Sequence, residues 1–215
     1  MAKGAWRPKK TTGPILEPMN HIHLQYYNKN SRDIQILKDT QLKCQFSILR
    51  SELDRIILGQ AVVESLDKSI PPNNPLPILY RLGWRVLDKM NQTGVNFWMV
   101  FVFYLYQLSL RLGFMPNLKT CCQCNSVFSH AFIDDHKGEL ICPDCGPGSK
   151  LSLKKNTLIF LQKLENLHLD DIRTNMNNTV EMYNALHFLE IFTCIHLDGM
   201  DKVRSFDMVH KLLKK

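Results

Sequence analysis

The sequence predicts an α+β fold that is mostly α: a short β segment, then a helical domain carrying a small four-cysteine insert. Three observations carry this. Apolar and polar residues alternate over residues 15–27 and 32–38, the period of a strand with one buried face. From Ser47 onward the apolar spacing becomes helical. Residues 118–150 interrupt the helical stretches with two C-x-x-C pairs.

In the β segment, Ile22, Leu24 and Tyr26 fall on one face and His21, His23 and Gln25 on the other, which predicts that the first three are buried. Asn28-Lys29-Asn30-Ser31 reads as a turn, and Ile34 and Ile36 share one side of the second strand. Together they predict a β-hairpin with a basic tip, which needs further strands or a helical partner for stability. Leu49, Leu53, Ile56, Val63, Leu66 and Ile70 then predict a helix of about five turns, stopped by Pro71 and Pro72. A second helix is expected over 76–91, a third over 97–112 ending at Gly113, and others over 157–167, 179–197 and 204–213. Domains are expected at 1–43 and 44–215, with the insert at about 118–150. No repeat or low-complexity tract is present.

The 215 residues are 45% hydrophobic, enough for a packed core. The most apolar run, residues 95–110, contains Asn96, Gln107 and Ser109 and is shorter than the ~20 residues of a membrane span, so it reads as a buried central helix. A Lys/Arg-rich start without a following apolar stretch predicts no signal peptide. The net charge of +7 points to a polyanionic partner, which charge alone leaves open as nucleic acid, anionic lipid or an acidic protein. Residues 1–38 hold seven cations (Lys3, Arg7, Lys9, Lys10, Lys29, Arg32 and Lys38) against Glu17 and Asp33, so most of that charge sits in the N-terminal segment. Within the first ten residues, four cations and Trp6 suit a phosphate backbone with a base stacked on the indole; a frayed basic terminus fits the composition equally well.

Cys121 and Cys124 are separated by seventeen residues from Cys142 and Cys145. Each C-x-x-C sets two sulfurs at the tip of a tight turn, and two such turns supply a tetrahedron with bonds of about 2.3 Å to zinc. Residues 134–138 are the expected turn of the hairpin between the pairs, and paired cysteines of this kind point to a reducing cytoplasm. With four thiolates no coordination position is left for water, so the expected role is structural. An iron–sulfur cluster, free buried thiols, or a nitrogen from His130 or His136 in place of one sulfur are the alternatives. Cys122 reads as a bystander, and Cys44 and Cys194 as core packing.

No catalytic constellation is legible: there is no glycine-rich phosphate loop, no G-x-S-x-G and no H-E-x-x-H. Asp134-Asp135 and Asp170-Asp171 are adjacent pairs whose side chains diverge, and His187, His196 and His210 show no ligand spacing. The expectation is a protein that is not an enzyme.

The order of short motifs resembles the RecO family of DNA repair proteins. Ala2-Lys3-Gly4-Ala5-Trp6-Arg7-Pro8-Lys9 looks like that family's AKGARRPKS stretch. Leu16-Glu17-Pro18-Met19-Asn20, Val63-Glu64-Ser65-Leu66-Asp67, the run from Leu110 to Leu118 leading into the first C-x-x-C, and His196-Leu197-Asp198-Gly199 with Val203-Arg204-Ser205 follow in order. The resemblance implies an N-terminal OB fold, a helical domain and, in many members, a four-cysteine zinc site. It also implies a non-enzymatic recombination mediator. Such a protein binds and anneals single- and double-stranded DNA, works with RecR and the C-terminal tail of single-stranded-DNA-binding protein (SSB), and helps load RecA. A bacterial, cytoplasmic and nucleoid-associated location comes with it. In the family further strands precede the AKGA-like stretch, so residues 1–43 are expected to form a partial OB fold, short of the roughly five strands of a closed barrel. The expected DNA contacts are Lys3, Trp6, Arg7, Lys9, Lys10, Lys29 and Arg32. A protein-interaction adaptor that does not touch DNA is the second reading.

Overall fold

A computed structural model describes residues 1–2, 5, 7, 12–134, 138–146 and 152–213. It is an α+β structure in which helices dominate. A short helix α1 (Thr12–Ile15) precedes an antiparallel pair, β1 (His21–Tyr27) and β2 (Ile36–Cys44). Helices α2 (Leu53–Ser69), α3 (Pro77–Met90) and α4 (Phe97–Leu112) follow. The cysteine segment brings β3 (Ala131–Ile133) and β4 (Leu140–Ile141), and β5 (Ser152–Leu153) completes a sheet of order β4-β3-β5. Helices α5 (Lys155–Leu164), α6 (Val180–His196) and α7 (Arg204–Leu213) close the chain.

Helix α4 is the axis of the core. Asn96 caps it by accepting from the Met99 N–H (3.0 Å), and Gly113 ends it in the left-handed region at φ 82°. Every residue from Trp98 to Ser109 is buried, so the apolar run is an internal helix, and among the described residues no helix is long and apolar enough to cross a membrane. Helices α2, α3, α5 and α6 pack around it, and α7 packs on α2. Two buried polar groups fix these contacts. Arg55 on α2 donates to the carbonyls of Met90, the last residue of α3, and of Gln92 just beyond it, and its guanidinium lies 4.7 Å from the Phe97 ring centre. The Tyr104 hydroxyl lies 2.7 Å from Ser65 Oγ and 3.2 Å from the Val62 carbonyl oxygen, and complete burial pushes its pKa well above the usual phenol range. Tyr104→Phe leaves Ser65 its bonds to the α2 carbonyls, so the expected loss is about 1 kcal/mol in denaturant titration.

Several expected boundaries move. Residues 12–15 form a helical turn, and the first strand starts only at His21. The second strand begins at Ile36 and runs to Cys44, leaving Ile34 in an exposed connection. The basic tip survives: Lys29 and Arg32 lie exposed on that connection. Helix α2 starts at Leu53, because Phe46 takes a positive φ of 43° and residues 47–51 turn. The buried face expected for β1 is corrected outright. Leu24 and Tyr26 are 45% and 53% exposed, and Ile22 is half-buried. Register shifts after His21 and Gln25 break the alternation that a single buried face requires. Among the described residues no third strand joins the pair; short helix α1 packs against β2, while His21 at the start of β1 packs on Trp84 of α3.

Candidate metal centre

The chain enters the cysteine segment under tight local control. Asn117 Oδ1 accepts from the N–H groups of Lys119 (2.8 Å) and Thr120 (3.2 Å), turning the backbone out of the Gly113 stop. Thr120 then bridges to Val127, closing a small hairpin around the first cysteine pair. In that hairpin Asn125 takes φ 59° and donates its N–H to the Cys121 carbonyl at 2.9 Å. The second pair repeats the device, with the Cys145 and Gly146 N–H groups donating to the Cys142 carbonyl at 3.2 Å. A Cβ at Gly146 would meet the end of the Ile141 side chain, which would have to shift to admit it.

The two turns face each other. Sulfur atoms of Cys121, Cys124, Cys142 and Cys145 all lie within 4.8 Å of one another. Cys124 Sγ and Cys142 Sγ are 3.7 Å apart, close to the edge of roughly 3.8 Å for a tetrahedron with bonds of about 2.3 Å to zinc. Cys121 and Cys142 are buried, Cys145 is half-buried and Cys124 is exposed. The electrostatics favour thiolates at Cys121 and Cys124. Burial raises the Cys121 thiol, but backbone N–H groups, among them Cys142 (3.3 Å) and Gln123 (3.4 Å), outweigh it and bring it down to about 6. Ser126 Oγ, 2.8 Å from Cys124 Sγ, lowers Cys124. Hydrogen bonding with Cys124 and Cys142 pushes Cys145 up to about 12. The proton held on Cys145 among neighbouring thiolates is what a bound cation would displace.

The insert is anchored to the helical body. Ala131, Ile133, Leu140 and Leu153 belong to the same core as α4. Gly138, at φ 65°, lies so close to the His196 ring that a side chain there would collide with it. That ring in turn stacks on Phe114 (4.9 Å, 7°). The expected hairpin turn is closed by Gly138 donating to the Asp134 carbonyl at 2.7 Å; residues 135–137, His136 among them, lie outside the described residues. His130 is not in the metal-ligating group: its ring packs on Phe132 at 4.9 Å.

Arg7, Lys29 and Arg32 are exposed. Lys3, Trp6, Lys9 and Lys10 lie outside the described residues. The histidines read as scattered are not all so: His187 and Glu190 on α6 meet His210 on α7, with donor atoms within 4.8 Å. Burial, then the neighbouring His210, lowers the His187 imidazole, and burial pushes the Glu190 carboxyl up to about 8. The sequence signal was the His187-x-x-Glu190 spacing, which puts both on one helix face; nothing local announces His210.

Several motif residues have structural duties. Glu64 Oε2 accepts the Ser205 N–H at the start of α7 (3.2 Å), and Gly199 takes φ 79° before it. The family model described as Recombination protein O C terminal matches residues 50–198, the span from just before α2 to just after α6. DNA repair protein RecO of Salinibacter ruber is 33% identical over 116 residues, 54% of this chain and 45% of that protein. The RecO protein of Pelodictyon phaeoclathratiforme is 24% identical over 99% of this chain and 86% of its own length, and that of Syntrophobacter fumaroxidans 28% over 80% and 70%. The matched family model covers more than half of the sequence and contains the whole cysteine segment, so the chain belongs to the RecO (recombination protein O) family.

Proposed function

We propose that the chain is a non-enzymatic mediator of DNA repair and homologous recombination. It binds and anneals DNA and, with RecR, helps load RecA on SSB-coated single strands in the bacterial cytoplasm at the nucleoid. The observation that carries this reading is the family match over residues 50–198, joined by relatives named DNA repair protein RecO. Electrostatics supply most of the DNA affinity, through Lys3, Arg7, Lys9 and Lys10 with Lys29 and Arg32 at the hairpin tip, and Trp6 stacks on a base. The hairpin of β1 and β2 is the OB-type element of this surface. Neutralising two phosphate backbones lets complementary bases search for one another. The four cysteines hold a structural zinc, which supplies no reaction step and fixes the insert against α4 and α6.

The SSB tail, acidic with an apolar end, fits a cavity of about 470 Å³ between α3, α4 and the segment after α5. Leu82, Phe103 and Leu110 give it apolar wall, and Arg81, Arg85 and Arg111 line it with guanidinium groups that bind carboxylates in pairs. Arg85 also meets Asp170 at 3.0 Å, a surface pair an acidic peptide can displace. The double variant Arg81→Glu/Arg111→Glu is expected to weaken binding of an acidic, apolar-ended peptide at least about tenfold, or ~1.4 kcal/mol, in a fluorescence titration.

The function itself is tested by mixing complementary oligonucleotides at low salt. Faster strand annealing with the chain than without it, and no nucleotide hydrolysis, is the expected result. Annealing at the spontaneous rate leaves the second reading, an adaptor that recruits proteins without touching DNA. What favours that reading is that the matched model begins at residue 50, beyond the basic segment and the hairpin.

A further inference from the structure

At the junction of α6 and α7 lies a carboxylate without hydrogen bonds. Glu190 is 1% exposed, and neither of its oxygens has a hydrogen-bond partner. The facing group is His210, whose Nε2 lies 3.4 Å from Glu190 Oε2. His187, three residues before Glu190 on the same helix, completes a set of three donors within 4.8 Å of one another. The two imidazole rings stand nearly perpendicular, centres 5.9 Å apart, so neither stacks over the other's nitrogens. A cavity of about 270 Å³ opens beside Glu190 and His210 and reaches Cys194 and Asp207.

We propose that His187, Glu190 and His210 form a second metal site, for a zinc-class divalent cation, with one coordination position open to the cavity. Two imidazoles and a carboxylate are the donor set that first-row divalent ions take. The 3.4 Å separation of His210 Nε2 and Glu190 Oε2 is the edge of a tetrahedron with bonds of about 2.0–2.1 Å. A buried carboxylate lacking hydrogen bonds is costly, and a bound cation neutralises it without rearranging the helices. Three protein ligands leave a fourth position, and the cavity gives it room for water. Exposed His187 provides the entry path. Ligands from α6 and α7 make the cation a cross-link that holds the C-terminal helix to the body. This site stands apart from the cysteines in position and in donor type, and it does not depend on the proposed function.

The site is tested on the full chain, stripped with a chelator and titrated with Co²⁺ and with Zn²⁺. The wild type is expected to take up one equivalent more than either Glu190→Gln or His187→Gln. That equivalent lacks the thiolate-to-cobalt charge-transfer absorption given by the cysteine site, and a Cys121→Ser chain retains it. Added Zn²⁺ beyond the first equivalent raises the melting temperature of the wild type and leaves that of Glu190→Gln unchanged. Equal metal content in the wild type and both Gln variants would overturn the proposal, leaving Glu190 and His210 as a plain acid–imidazole pair. His187→Gln changes an exposed position, so the comparison survives even if the buried Glu190→Gln chain folds poorly.

Discussion

Replacing Cys121 with Ser is expected to remove the metal from the cysteine site and loosen the whole insert. Cys121 is the fully buried sulfur, and its N–H donors come from both turns, so it is the point where the two C-x-x-C pairs join. A serine oxygen is a poor substitute for a thiolate on zinc. Structural zinc sites carry ~10 kcal/mol or more of apparent binding free energy at neutral pH, and losing a ligand forfeits most of it. The metal-bearing turns themselves lie outside the main core, which the insert reaches through Ala131, Ile133 and Leu140: around the cysteines the apolar cluster is only Cys121, Ile141 and Cys142 with Phe128, Phe132 and Cys145 beside it. Proteolysis should therefore cut within residues 119–146 in the variant and not in the wild type, while far-ultraviolet circular dichroism still reports the helices. Chelation and acid act in the same direction, since both take thiolates away from the metal. A variant with wild-type resistance and metal content at that site would place the ligands elsewhere.

Phe101→Ala is expected to cost about 3–5 kcal/mol of folding stability. The ring is fully buried on α4, stacked with Tyr104 (6.2 Å, 23°) and edge-on to Phe206 of α7 (6.4 Å, 74°). Its removal leaves a void between α4 and α7, bounded by the rings of Tyr104 and Phe206. Against a typical stability of about 5–15 kcal/mol this is a large loss, and for a chain of this size it lowers the melting temperature by on the order of 10 °C. Denaturant titration should show a lower midpoint with the slope unchanged. A change under 1 kcal/mol would mean that α4 is not the packing axis.

The helices were legible where the chain marks their ends. Pro77 opens α3, Asn96 and Gly113 bound α4, and Thr179 caps α6 by accepting from Met182, so those spans match expectation within a residue or two. The start of α2 was not, because the apolar residue Leu49 fits its helical period yet is buried from a turn. The hairpin was legible as a hairpin, but not its exposure: alternation predicts two faces and says nothing of whether anything covers one. The cysteines could be read because both pairs are local and only one loop separates them. Glu190 could not, since its environment is made by His210, twenty residues later and on another helix.

The central claim, that this RecO-family chain binds DNA through the cations of its N-terminal segment, is tested most directly by measuring single-stranded DNA affinity across a salt series. The account predicts a linear fall of log affinity with log salt, with a slope reduced by about 0.7 for each phosphate contact removed, as in Lys9→Ala or Lys10→Ala. No measurable binding at low salt, or an affinity that salt and these substitutions leave unchanged, would contradict it.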